Sequence, residues 1–342
     1  MRNARSLREI LPAWLAIIGA IELICFFATL GKPYWAGIFI LICFYALAGV
    51  AWNWAAGITG LLSLGHSIFI GIGAYAVAVG QIRYGLEPWI TLLIGVALSS
   101  LVSVFIGYVC FRFGLRGYFL AICTLAFGQV VFFLASASEL LGRSDGLTIP
   151  MAAAPLRYWQ FNERWPYSLI IMLLLFVVLL LGNALMRSRA GHYWRAIHDD
   201  EDAAETIGVP VFRYKLFVFF ISAVVTSIAG SFYAVYFTFV DPRSVLSVEM
   251  SVELLIFSIV GGLRLQWGPV LGAALLIPVT HVLNGWIGSS VQGATIAIYA
   301  IILILISLRA PDGLGPALER AIRNAVVRIK GGLARQAADS SA

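Results

Sequence analysis

The sequence predicts an all-α polytopic membrane protein: a transmembrane helical bundle of about ten spans with both termini on the cytoplasmic side. Three observations carry this. Of the 342 residues, 61% are hydrophobic and only 12% charged, against about 25% charged in a typical soluble domain. Apolar stretches long enough to cross a bilayer, roughly 20 residues each, recur along the chain. The basic residues between them fall into two unequal sets, as the bias of cytoplasmic loops toward Lys and Arg requires. The same composition excludes a disordered chain, a collagen-like repeat and a disulfide scaffold.

The candidate spans are residues 11–30, 36–54, 61–80, 89–111, 117–141, 167–186, 216–240, 250–263, 269–287 and 291–308. The eighth is the shortest. Arg2, Arg5 and Arg8 precede the first, as in a signal peptide, but the apolar run exceeds a signal-peptide core and no small-residue cleavage site follows it. It therefore reads as a retained helix, with residues 1–10 as a cytoplasmic segment. Ten spans with the N-terminus inside leave Lys32, Arg83, Arg143, Arg157, Arg164 and Arg243 outside and the other seventeen of the 23 basic residues inside. Dropping one span would invert every later loop, so the even count follows from the charge asymmetry. That asymmetry also accounts for the net charge of +6 without invoking nucleic acid.

Between the spans lie two long polar stretches. Residues 142–166 are external and mix Arg143, Asp145, Arg157, Glu163 and Arg164 with Trp159, Phe161 and Trp165. Such a mixture suits either a transient protein-docking surface or a connector with interfacial aromatics. Residues 187–213 are internal and the most charged part of the chain. A basic tail, 309–342, follows the transmembrane region of 11–308.

Within the internal loop, Glu201-Asp202-Ala203-Ala204-Glu205-Thr206-Ile207-Gly208 reads as a short acidic helix. Asp199, Asp200 and Asp202 favour its positive end, and Gly208 with Pro210 stops it. Ala203 and Ala204 offer a small, smooth face for the groove of a soluble partner; the alternative is a solvated connecting helix.

Here a resemblance becomes specific. The spacing Asp202-Ala203-Ala204-x-x-x-Gly208 resembles the EAA signature of ABC importer permeases, with Asp in place of Glu. The flanking residues 195–200 and 213–216, the Thr59–Ser67 and Gly71–Tyr75 stretches, the Arg116–Leu125 span start and Val260-Gly261-Gly262 through Trp267-Gly268-Pro269 are similar to the M-type permeases of branched-chain amino-acid importers. The similarity runs from about Asn53 to Leu308. It departs at Gln129, where that family often has Glu, and at Arg264-Leu265-Gln266. The resemblance implies that Asp202, Ala203, Ala204 and Gly208 couple the chain to an ATPase. It also implies a second related permease subunit, two ATPase subunits, an external substrate-binding protein and a bacterial or archaeal cell membrane. The cargo it implies is leucine, isoleucine, valine or a similar small amino acid, with urea or short-chain amides as the alternative; an ion-coupled carrier needs no docking helix.

Two glycine-rich breaks, Gly60–His66 and Gly262–Pro269, echo each other weakly, as in transporters built from internal repeats. In the first, Ser63 could cap a helix start, and free backbone N–H groups could meet an anionic group. Ser67, Gly71, Ala74 and Ala78 then form one small-residue face for helix packing. Candidate residues of a translocation path are Gly60, Gly65, His66 and Gln129. Glu22, Glu253 and His281 are also polar residues inside spans and should face the bundle or water. Cys25, Cys43, Cys110 and Cys123 stand apart in apolar runs, as small buried hydrophobes do. The sequence shows no catalytic constellation, metal-ligand pattern or Walker A motif. No enzyme activity and no cofactor bound by this chain are therefore expected, with ATP used by partner subunits.

Overall fold

The computed structural model describes residues 3–150 and 155–287, together with 304, 308, 309 and 313–316. Helix α1 (Asn3–Thr29) leads through Gly31 to α2 (Pro33–Asn53), which continues as a π-turn over Trp54–Ile58. After an irregular stretch come α3 (Ser67–Tyr84), α4 (Pro88–Arg112) and α5 (Gly117–Ala137). The connection between α5 and α7 contains β1 (Leu147–Thr148) and the single turn α6 (Pro155–Tyr158). Helix α7 (Trp165–Arg187) then leads to α8 (Arg189–Asp199) and α9 (Glu201–Thr206). The chain returns through α10 (Val211–Phe237), β2 (Phe239–Val240), the single turn α11 (Pro242–Val245), α12 (Val248–Gly261) and α13 (Gly268–Ile287).

Seven of these segments are long and apolar enough to cross a membrane. Nine of the ten predicted spans coincide with helices; the tenth, 291–308, lies outside the described residues apart from Ile304 and Leu308. The boundaries differ in instructive ways. α1 is helical from Asn3, inside the segment expected to precede the membrane. The short predicted span 250–263 is extended backwards by α11, so that Pro242–Gly261 spans as one unit. The span expected over 61–80 begins as a helix only at Ser67.

The 23 residues of α7 cover roughly 35 Å, so the 142–166 connection and the α8–α9 loop lie at opposite ends of the bundle. Other contacts sort the charges the same way. At the end that carries the 142–166 connection, Arg83 donates to the Glu139 carbonyl, Arg164 to the Pro33 carbonyl, and Arg157 pairs with Glu87. β1 pairs with β2 in antiparallel register, Leu147 opposite Val240, and so ties this connection to the end of α10. At the other end, Arg116 and Arg264 meet the α8–α9 loop.

α2 is apolar on all sides and buried over most of its length, the signature of a central helix. α4 and α5 turn large apolar side chains outward, among them Leu93, Leu101, Phe105, Phe119 and Phe133, as helices facing lipid or another membrane subunit do. α3 crosses α10 at backbone distance: a methyl on Gly73 would collide with the Ser227 carbonyl, and one on Gly230 with the Ile70 carbonyl. The expected small-residue face of α3 is thus supplemented by Gly73 on a neighbouring stripe, while Gly71 packs on Leu246.

Between Thr59 and His66 the backbone is irregular. Gly60, at φ +80, lies beside His198 at the loop end. His66 is level with Ser222, eleven residues or roughly 16 Å along α10 from its loop end. Residues 61–66 therefore climb into the bundle as extended chain, within its reach of roughly 3.3 Å per residue. Non-helical backbone at this depth is stable only where protein satisfies its polar groups. Here Leu61 N–H donates to the Ala55 carbonyl, Leu64 N–H to Thr124 Oγ1 and Ser67 N–H to Ser251 Oγ. The Ser63 carbonyl accepts from Trp52 Nε1 at 2.8 Å.

Gly230→Ala should destabilise the chain by about 1–3 kcal/mol through overpacking, read as a lower melting temperature of the purified protein in detergent. Gly128→Ala, whose methyl would meet only Gly65 Cα at 3.7 Å, should melt like the parent. Equal melting of the two variants would refute the close α3–α10 crossing.

Candidate coupling and translocation sites

The α8–α9 loop is built on an aromatic anchor. Trp194 is fully buried, and its indole N–H donates to the Tyr214 carbonyl at 3.1 Å. α9 is short enough to depend on its cap: Asp200 Oδ1 accepts from Ala203 N–H at 3.0 Å. Of the three aspartates expected at this end, Asp200 is the cap, Asp202 pairs with Arg116, and Asp199 stands 3.8 Å from Arg264. Gly208, at φ +90, ends the helix.

The two alanines do not share a face, contrary to the sequence expectation. Ala204 is 2% exposed and packs with Ile197, Val209 and Val211. Ala203 is exposed, as are Asp202 and Gly208. Ile207 completes the outer surface at 78% exposure. Its signal in the sequence is an apolar residue ahead of a helix-stopping glycine in an acidic segment.

A second group missed in the sequence fixes the loop to the bundle. Glu201 accepts from Arg116, which precedes α5, at 3.3 Å and from Lys215 of α10 at 2.5 Å. Arg116 also reaches Asp202 at 2.8 Å. Lys215 is 3% exposed and stands 5.8 Å from the Phe111 ring centre. Sequence spacing could not show this, because the three elements meet only in the fold. The network lines a cavity of about 360 Å³ together with Thr59, Gly60, His198 and Asp200. Burial, then the positive charge of Arg264, holds the His198 imidazole below its ordinary value, with Asp199 opposing.

The path candidates separate. Gly60 lines this cavity and Gln129 is half-buried on α5. Gly65 and His66 are enclosed. A methyl on Gly65 would strike the Thr124 carbonyl. His66 is fully buried, with Nδ1 2.9 Å from Ser63 Oγ and Nε2 2.8 Å from Ser222 Oγ. Ser63 is therefore a partner of His66 and not a helix cap. The N-terminus of α3 is likewise enclosed, with the Ser67 N–H taken by Ser251, so it offers no open anion site. In the 142–166 connection, Arg157 and Arg164 engage this chain's own Glu87 and Pro33, and Trp159 packs edge-on against Trp89.

Glu201→Gln strands the buried Lys215 and should cost up to about 3–5 kcal/mol, as breaking one side of a buried pair does. Faster hydrogen exchange over residues 189–209 would report it, and Glu201→Met with Lys215→Met should restore most of the protection. Unchanged exchange in Glu201→Gln would refute the tie. A His held below its ordinary pKa of about 6.5 stabilises the fold above that pH and loses the contribution as pH falls through it. Opening of the same loop, read as exchange corrected for the intrinsic pH dependence of amide exchange, should therefore increase as pH falls below about 6.5 and stay flat in His198→Asn; equal pH dependence would exclude His198.

The family described as the permease component of branched-chain amino acid transport systems matches residues 34–307. The high-affinity branched-chain amino acid transport system permease protein LivM of Escherichia coli is 29% identical over 81% of this chain and 68% of its own length. Its Salmonella typhimurium counterpart is 30% identical over 80% and 68%. The fructose import permease protein FrcC of Rhizobium meliloti is 26% identical over 85% and 83%.

Proposed function

The chain belongs to the branched-chain amino acid transport permease family, and from that premise we propose that it forms half of the translocation path of an ABC importer for leucine, isoleucine, valine or similar small amino acids. It is a multi-pass membrane permease subunit. In the proposed assembly a second related permease completes the path, two ATPase subunits bind beneath it, and an external binding protein delivers cargo. ATP is hydrolysed in the ATPase subunits, and this chain binds no cofactor and performs no chemistry. The complex sits in a bacterial or archaeal cell membrane.

The observation that carries this reading is the α8–α9 loop. Its exposed surface, Ala203, Ile207 and Gly208, is small and apolar among acidic neighbours, while Glu201 links it to α5 and α10 through Arg116 and Lys215. A partner moving against that surface would pull on two membrane helices at once. The ten-span topology with both termini inside is supported by the sorting of the basic residues. It is supported too by Gly313 and Gly315, which pack on Gly261 and Gly262 at the loop end, whereas α13 ends at Ile287 a helix length away. A reporter inserted after Ser144 should be active only outside, and one after Glu205 only inside; the reverse would overturn it.

In the assembled transporter, Ala203→Arg and Ile207→Asp should each reduce binding-protein-stimulated ATP hydrolysis at least tenfold at normal expression. Ala204→Arg should instead deplete folded protein, because Ala204 faces inward. Normal uptake in both surface variants would remove the docking role. For cargo, uptake of labelled leucine that is blocked by vanadate and survives an ionophore is expected. The fructose-transporting relative makes fructose the comparison solute, and uptake of fructose but not leucine would replace the cargo assignment.

A further inference from the structure

A second cavity, of about 300 Å³, opens at the outer end of the bundle between α2, the end of α10 and the α11–α12 shoulder. Its size lies at the small end of small-molecule sites. Its wall brings together three kinds of group. Phe44, Tyr233 and Phe237 supply aromatic surface, with Phe44 and Tyr233 5.7 Å apart between ring centres. Arg243 supplies a cation. Glu249 and Glu253, one turn apart on α12, supply carboxyl groups.

The charges at this mouth are arranged unlike those elsewhere on the outer end. Arg83, Arg143, Arg157 and Arg164 each donate to a carbonyl or carboxylate of this chain. Arg243, among the described residues, has no such acceptor, and Glu249 has no ion-pair partner. Glu253 is held by the Tyr45 hydroxyl. Among the described residues, the cavity thus holds Arg243 and Glu249 without an ion-pair partner beside an aromatic wall. A neutral sugar can hydrogen-bond to these groups but brings no charge to either of them. A zwitterion with an apolar side chain meets all three features: carboxylate to Arg243, ammonium to Glu249 and Glu253, and side chain to the rings.

The shoulder that forms the cavity also holds the unwound segment. Ser251 Oγ accepts from Ser67 N–H and the Leu246 carbonyl accepts from Ser67 Oγ. A ligand gripped between α11 and α12 would therefore act on the elements that fix the start of α3.

We propose that this outer cavity is a site for zwitterionic α-amino acids with aliphatic side chains, recognised by Arg243 on one side and Glu249 with Glu253 on the other. It rests on the amino-acid reading of the cargo given above. The test is saturation-transfer-difference NMR on the assembled transporter in nanodiscs, without the binding protein, using L-leucine, leucinamide, 4-methylpentanoate and fructose as probes. Leucine methyl signals should exceed those of the three other probes at least fivefold. Arg243→Gln and the double variant Glu249→Gln/Glu253→Gln should each lower the leucine signal at least fivefold. Equal transfer to leucine, leucinamide and 4-methylpentanoate in the unmodified transporter overturns the site, even if the variants fold poorly. Full leucine transfer in Arg243→Gln, with loss of binding-protein-stimulated ATP hydrolysis, also overturns it and makes the cavity rim a docking surface for the binding protein. Leucine uptake without selective transfer removes the site and leaves the cargo reading standing; selective transfer without leucine uptake does the reverse.

Discussion

The unwound climb from Gly60 to His66 is the constraint around which the other elements are arranged. Backbone N–H and C=O groups at membrane depth cost several kcal/mol each when unsatisfied. A helix solves this alone, but an extended segment needs partners from its surroundings. Here they come from four directions: Trp52 and Ala55 of the preceding helix and π-turn, Thr124 of α5, Ser222 of α10 through His66, and Ser251 of α12. Each donor or acceptor is small or rigid and buried. The surrounding helices must therefore approach closely, and glycines at the crossings permit it. Gly65 itself is required because Thr124 occupies the space of a side chain.

The same arrangement fixes what the two ends of the bundle can do. At the loop end, the segment's start at Gly60 lies beside His198, so the α8–α9 loop and the climb share a wall. The buried Lys215–Glu201 pair then joins α9 to α10. Its desolvation makes it a poor source of net stability but a strong penalty against rearrangement with one partner missing. That is the behaviour suited to a mechanical link. At the opposite end, the β1–β2 pairing joins the long connection to α10 just before α11, which positions Arg243 at the cavity mouth.

Much of this was legible in the residues. Composition, apolar run length and the asymmetry of Lys and Arg determined a polytopic helical bundle and nine of its helices, because lipid imposes one requirement on every span and that requirement is local. The acidic helix, its stop at Gly208 and the glycine-rich break were equally local signals. Tertiary structure alone decided the rest. That Ala204 faces inward while Ala203 faces out depends on where Ile197, Val209 and Val211 dock, which no spacing reveals. Glu201, Arg116 and Lys215 lie on three elements far apart in sequence, so their pairing exists only once α5, α9 and α10 are packed. Ser63 looked like a cap because serine often is one; His66, itself placed by Ser222 from the far half of the chain, takes that hydroxyl instead. The sequence by itself set which segments are apolar enough to enter the membrane. The packing decided which polar groups within them meet, because at that depth each must find a partner and only neighbouring helices can supply one.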